Sequence, residues 1–191
     1  MSIVLIAAAN GQNKAWIGIS PGGAHEVNGV MINLFPDIEE NKELTIIKGL
    51  ELELSPAVPL ILGITLVPVA LGDHSWRNET NNLETIKEIS GAHIGLINLE
   101  PTKIDGLEIN AINLNSNCSG LSIAGLNILD EINGISIGLL RNYSSKCDGL
   151  QVGLINESPN LKGFQFGLWN KNQKRSLPFI NWNFSEDENE S

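Results

Sequence analysis

The chain reads as all-β, a parallel β-solenoid wound as a narrow β-roll of 14–15-residue coils with caps. Three observations predict this. Six copies of one short phrase fill the stretch from Ile89 to Asn170, opening on Gly91, Gly106, Gly120, Gly134, Gly149 and Gly163, at steps of 15, 14, 14, 15 and 14. Apolar and polar residues alternate after each glycine, the mark of a strand with one buried face. Asparagine returns at a fixed phase, as stacked amide ladders require.

With each glycine as position 0, position +1 is apolar throughout (Leu107, Leu121, Ile135, Leu150, Phe164, and Ala92 in the first copy), as is +3. Position +2 is always polar: His93, Glu108, Ser122, Ser136, Gln151, Gln165. Position +4 is small in most copies and +6 is apolar. Position −2 is apolar too (Ile89, Ile104, Cys118, Ile132, Cys147, Leu161). Positions −2 and +1 lie three apart, so the spacing predicts a corner at the glycine and a roll filled by −2, +1, +3 and +6. Asparagine occupies +7 in five copies. The fourth has Arg141 there and Asn142 next, a one-residue insertion that accounts for its fifteen-residue length.

An antiparallel β-meander or β-barrel is the alternative, because Asp-Gly and Asn-Gly also signal hairpins. Alternate repeats of a barrel would face different surroundings. Here all copies look alike, which favours the solenoid.

Upstream, Asn28-Gly29-Val30-Met31-Ile32-Asn33 and Lys48-Gly49-Leu50-Glu51-Leu52-Glu53 are fainter copies, so the array begins near Val27 with insertions at 35–44 and 55–88. Residues 1–15 read either as a signal-like segment, apolar and ending in small residues but lacking a basic start, or as a first buried strand. Residues 16–184 form a single β-repeat domain. The apolar run Ala57–Gly72 is too short and too proline-interrupted to span a membrane as a helix. Residues 171–184 make a C-terminal cap in which Ile180, Trp182 and Phe184 alternate, and 185–191 form an acidic tail.

A net charge of −10 excludes binding to nucleic-acid phosphates, which needs clustered Lys and Arg. The residues predict no catalytic, cofactor-binding or metal-ligating set. The three histidines His25, His74 and His93 share no ligand spacing, and His93 falls at the outward +2 position. Ser20-Pro21-Gly22-Gly23 is a turn without the lysine of a phosphate loop. Cys118 and Cys147 sit at −2 two coils apart, about 9.6 Å in a parallel stack, beyond disulfide reach. Glu51/Glu53 and Asp130/Glu131 read as solvated pairs. The +2 residues Glu108, Ser122, Ser136, Gln151 and Gln165 form an outward polar stripe. That stripe reads first as wetted surface; as a binding surface it suits a repetitive partner such as a glycan, or a surface protein.

The copies Gly149-Leu-Gln-Val-Gly-Leu-Ile-Asn156 and Gly163-Phe-Gln-Phe-Gly-Leu-Trp-Asn170 resemble the Gly-Leu-Gln-Ile-Gly-Leu-Leu-Asn units of bacterial surface repeat-containing proteins. The flanks share the resemblance, from Gly18-Ile-Ser-Pro-Gly-Gly23 and Glu26–Phe35 to Arg175–Phe184, so it covers most of the chain. It implies an exported or surface-associated bacterial protein of unassigned biochemical role. Together with the repeat it predicts a non-enzymatic protein, secreted or at the cell surface or outer membrane, with a structural or interaction role. The tail beyond Phe184 departs from the family pattern. An alternating segment ending in phenylalanine also resembles an outer-membrane barrel signal, which leaves membrane association open and makes a membrane-associated barrel the second reading. A carbohydrate-active β-helix enzyme is the third, by analogy of fold alone.

Overall fold

The computed structural model describes residues 14–20, 25–34, 44–54, 85–98 and 100–184. The signal-like start, the turn at 21–24, most of both insertions, His74 and the acidic tail lie outside them. The elements are β1 (Lys14–Ser20), β2 (Glu26–Asn33), β3 (Thr45–Glu53), β4 (Lys87–Ile94), β5 (Ile97–Asn98), β6 (Thr102–Ser158), β7 (Asn160–Asn172) and β8 (Ser176–Asn183). They form one sheet in the order β1-β2-β3-β4-β6-β7-β8, with β5 paired to β6.

Every pairing from β1 to β7 is parallel, and only β8 runs antiparallel, against β7. The architecture is therefore all-β with stacked parallel strands, a solenoid-like repeat. The fainter copies belong to the stack, since Gly29 pairs with Gly49 and Gly49 with Gly91. Lys87 and Glu88, expected in the insertion, open β4 instead, and β1 adds a unit upstream of Val27.

The glycine column runs the length of this stack. Gly29, Gly49, Gly91, Gly106, Gly120, Gly134, Gly149 and Gly163 all have φ between 135° and 153°. From Gly49 onward, a Cβ on each would land on the carbonyl oxygen of the glycine one repeat earlier; on Gly29 it would land on that of Trp16. Four of these glycines lie within β6, so that 57-residue ribbon winds back on itself. Only glycine takes this backbone conformation and this approach without a clash.

The expected corner at the glycine is not there. Strands β2, β3 and β4 run straight through Gly29, Gly49 and Gly91, and alternation continues across them. Positions −2, +2 and +4 therefore share the inner side, while +1 and +3 face outward. The predicted filling by −2, +1, +3 and +6 is corrected accordingly. Position −2 is inside in all eight repeats, in two apolar clusters, Val27/Met31/Ile47/Ile89/Ile104 and Cys118/Leu129/Ile132/Cys147/Leu161. Burying each of these aliphatic chains contributes roughly 1.5–3 kcal/mol. Position +6 divides: Ile97, Ile112 and Leu126 are buried, but Leu140, Ile155 and Trp169 are exposed.

The chain bends between +4 and +7, which are three apart and both inward. Asparagine at +7 then forms the expected ladder. Asn113 Nδ2 donates to Asn127 Oδ1 at 2.8 Å, Asn127 to Asn142 at 3.2 Å, Asn142 to Asn156 at 2.8 Å, and Asn156 to Asn170 at 2.8 Å. Asn142 holds the rung while Arg141, displaced by the insertion, pairs with Glu157 at 2.7 Å. Small +4 residues make room: a Cβ on Gly138 or Gly153 would strike the amide of Asn142.

Two substitution pairs test this architecture by urea unfolding. Gly134→Ala puts a methyl group on the Gly120 carbonyl and should cost at least ~3 kcal/mol, whereas Asn133→Ala beside it should stay within about 0.5 kcal/mol. Asn142→Ala should cost about 2–4 kcal/mol, because it strips partners from Asn127, Ser136 and Asn156 at once. Arg141→Ala should cost about 1 kcal/mol or less; the reverse ranking would put the wrong residue in the ladder.

Candidate functional site

The polar stripe lies inside the protein. Glu108, Ser122, Gln151 and Gln165 are 0% exposed and Ser136 is 1% exposed, so the stripe offers a partner nothing to touch. The physical reason is the straight passage through the glycine, which puts +2 on the same side as −2. These side chains satisfy one another and the ladder. Ser122 Oγ donates to Glu108 Oε2 at 3.0 Å, Ser136 Oγ to Asn142 Oδ1 at 2.8 Å, and Gln165 Nε2 to Gln151 Oε1 at 2.8 Å. Gln151 Nε2 donates to Ser144 Oγ at 3.1 Å, and Asn181 Nδ2 of β8 to Gln165 Oε1 at 3.2 Å. Buried polar groups are tolerated when they are bonded in this way.

Toward the N-terminus the interior changes from amides to charges. Lys87 Nζ lies 2.8 Å from Glu51 Oε1 and 2.7 Å from Glu100 Oε2. Burial pulls the Lys87 pKa down, but the two carboxylates outweigh it and hold the ammonium protonated well above the usual lysine range. His93, expected to be solvated, is buried with Nε2 3.3 Å from Glu53 Oε2, and Glu51 and Glu53 are buried as well. Glu108 accepts from Asn98, Ser116 and Ser122, yet burial pushes its pKa above the ordinary carboxylate value of 4.5. Among the described residues no group of three or more His, Cys, Asp or Glu is placed to hold a metal ion. Cys118 and Cys147 are free and buried, and burial drives both thiols up to about 12.

The accessible feature is the opposite side of the same strands. Positions +1, +3 and +5 point outward, and over the last three clear repeats all nine are apolar and uncharged. Several stand far into solvent: Leu139 is 72% exposed, Leu168 61% and Phe179 69%. Columns +3 to +5 of these repeats and Phe179 line a shallow apolar groove of about 530 Å³. Phe179 stands opposite Gly167 with φ 65°, a strained conformation for a bulky residue that places its ring over the groove. In β8 the polar residues again take the inner side. Asn181 and Asn183 point in, while Ile180, Trp182 and Phe184 are exposed. Phe184 packs edge-on against Phe164, with ring centroids 5.0 Å apart.

Alternation defines two faces but does not say which is inside. A signal for the right choice was present in the choice of polar residues. The last four +2 positions carry only Ser and Gln, whereas the charged residues gather at −3 and −1 (Lys103, Asp105, Glu131, Lys146, Asp148, Lys162). A solvated stripe holds charges; a buried one holds groups that can pair among themselves.

No protein-family model matches this chain, and neither a curated protein nor a solved structure shows significant similarity to it.

The buried carboxylate gives a signed pH prediction. A raised folded-state pKa means that the native state holds the Glu108 proton more tightly than the unfolded chain. Its stabilising contribution is complete below 4.5 and is lost as pH climbs toward the raised value. Glu108→Gln, which keeps acceptor and volume, should therefore raise the urea midpoint at neutral pH and match the wild type near pH 4. An equal difference at both pH values would remove Glu108 from the titration.

Proposed function

We propose that the chain is an exported, surface-associated and non-enzymatic β-repeat module, a narrow roll of 14–15-residue coils closed by end caps, that works by interaction through its outer face. One observation carries the reading: the C-terminal half turns three adjacent apolar columns outward while amides and hydroxyls share its interior with the apolar −2 column. Contiguous apolar patches on a protein surface mark sites of association. The resemblance of Gly149–Asn156 and Gly163–Asn170 to units of bacterial surface repeat-containing proteins supports an envelope location. Parallel register across successive glycines and a terminal antiparallel strand support the capped roll.

The second reading, an outer-membrane-associated β-barrel, draws on the same apolar-out, polar-in pattern. The parallel pairing of β1 through β7 counts against it, because membrane barrels of this kind pair antiparallel. Among the described residues no helix is long and apolar enough to cross a membrane. A glycan-binding stripe loses its support with the burial of Gln151 and Gln165. The carbohydrate-enzyme reading is not favoured, because Glu51 and Glu53 face inward, bonded within the charged cluster.

Two measurements test the proposal together. In intact cells of the native bacterium, a membrane-impermeant amine label should reach this lysine-bearing protein. The purified full chain should bind a hydrophobic dye, and Leu139→Gln/Leu168→Gln should lower that signal severalfold at unchanged thermal midpoint. A protein labelled only after lysis, or a dye signal indifferent to the double substitution, would falsify the reading.

A further inference from the structure

We infer that the apolar outer face of the C-terminal repeats is covered by the same face of a second copy of this chain. The two copies form a two-fold dimer in which the stacks run in opposite directions and the axis passes at the level of Leu154. This deepens the preceding proposal and rests on its reading of the outer face as the working surface.

The outline of the face is complementary to itself. Position +5 carries leucine in three successive repeats, Leu139, Leu154 and Leu168, which are 46–72% exposed. One rung beyond Leu168 the face ends on a knob, Phe179 of β8, which stands opposite Gly167 and is 69% exposed. One rung before Leu139 it ends on a gap, because the Gly120 repeat carries Ala124 and Gly125 at +4 and +5. Knob and gap thus lie two rungs to either side of Leu154. Rungs are about 4.8 Å apart in both copies. Reversing one stack about Leu154 therefore sets Leu139 against Leu168 of the partner subunit, and Phe179 against the partner's Ala124 and Gly125. The knob-in-gap contact is made twice, once at each end, as an isologous interface requires.

The area is sufficient. Six outward residues of the last three clear repeats, together with Phe179, Ile180, Trp182 and Phe184, are 40–72% exposed. At roughly 150–250 Å² for each large side chain they present on the order of 1,000 Å². Stable interfaces bury about 800 Å² per partner.

The charges suit an uncharged, apolar partner. Residues 135–191 hold six basic and six acidic residues and so carry no net charge, which leaves all of the −10 in residues 1–134. Beside the face, Lys146 pairs with Glu131 at 2.7 Å, and Glu157 pairs with Arg141 and Lys171 at 2.7 and 2.8 Å. These rim charges are matched within one copy. Reversed stacks overlap through their C-terminal repeats and point their acidic N-terminal parts away from each other, which keeps like charges apart.

Sedimentation of the full chain over a range of concentrations tests this. The protein should pass from monomer to dimer and stop there, and added salt, which screens the repulsion between two copies of −10, should tighten the dimer. Leu154→Gln changes both sides of the contact at once and should weaken dimerisation at least ~10-fold. Phe179→Asn removes the knob, using a residue that tolerates φ 65°, and should weaken it to a similar extent. Neither variant should lower the thermal midpoint in the dilute, monomeric range. Leu96→Gln replaces a +5 leucine with the same 46% exposure as Leu154, two repeats outside the contact, and should leave dimerisation unchanged. A dimer indifferent to Leu154→Gln and Phe179→Asn, or equally sensitive to Leu96→Gln, overturns the inference, as do assemblies that keep growing with concentration. A chain that stays monomeric overturns it too. If that monomer floats with phosphatidylcholine vesicles or binds dye through Leu139 and Leu168, the interaction face stands with another occupant. If it does neither, both readings fall together.

Discussion

The close approach of successive glycine backbones is the constraint on which the other features depend. At position 0 the Cα hydrogen of one repeat faces the carbonyl oxygen of the repeat before, in a space no side chain can enter. With φ near 140° the strand stays extended through this point, so the parity of inside and outside is carried across it. That single fact places −2, +2 and +4 on one side and +1 and +3 on the other. An insertion between glycines must therefore be absorbed before the next column position, as the longer spans from Gly29 to Gly49 and from Gly49 to Gly91 are. The fourth clear repeat absorbs its extra residue on the far side, where Arg141 is displaced and Asn142 takes the rung.

Parity forces the polar +2 residues inside, and the interior is built to accommodate them. An amide stacked on an amide about 4.8 Å away donates to the unit on one side and accepts from the other, so an asparagine column satisfies itself only while it is continuous. Where the +7 column meets Glu108, Asn98 donates to the carboxylate instead of to Asn113, and the ladder ends there. Beyond that point Lys87 pairs by charge with Glu51 and Glu100, and His93 Nε2 lies beside Glu53 Oε2. The interior is therefore not uniform along the stack. The stacked amides do not titrate, whereas Glu108 at the boundary couples protonation to stability.

Much of the fold was legible in the sequence because repetition reports it directly. The glycine phase, the asparagine ladder, the insertion at Arg141, the weak copies at Gly29 and Gly49 and the separation of Cys118 from Cys147 all follow from periodic spacing. The face was not legible by the same route. An alternating strand is symmetric with respect to exchange of inside and outside, and hydrophobicity breaks that symmetry only if apolar residues are assumed to be buried. Here −2 and +1 are both apolar, so one of them had to be exposed or the chain had to turn between them. Taking Gly106 and its equivalents for a corner kept both inside; the structure carries the strand through and leaves Leu107, Leu121 and Leu150 half-buried on the outer side, with Ile135 and Phe164 exposed. The same parity holds in β8, where Asn181 rather than Ile180 points inward. The stripe of Glu108, Ser122, Ser136, Gln151 and Gln165 was thus correctly recognised as one column and placed on the wrong side of the strand.

An apolar outer face raises a solubility problem that the charge distribution addresses. Residues 135–184 carry +4 and the chain −10, so everything outside that segment carries −14. Net charge of one sign works against the attraction that exposed Leu139, Leu154 and Leu168 exert between neighbouring molecules, so charge and the apolar face pull association in opposite directions.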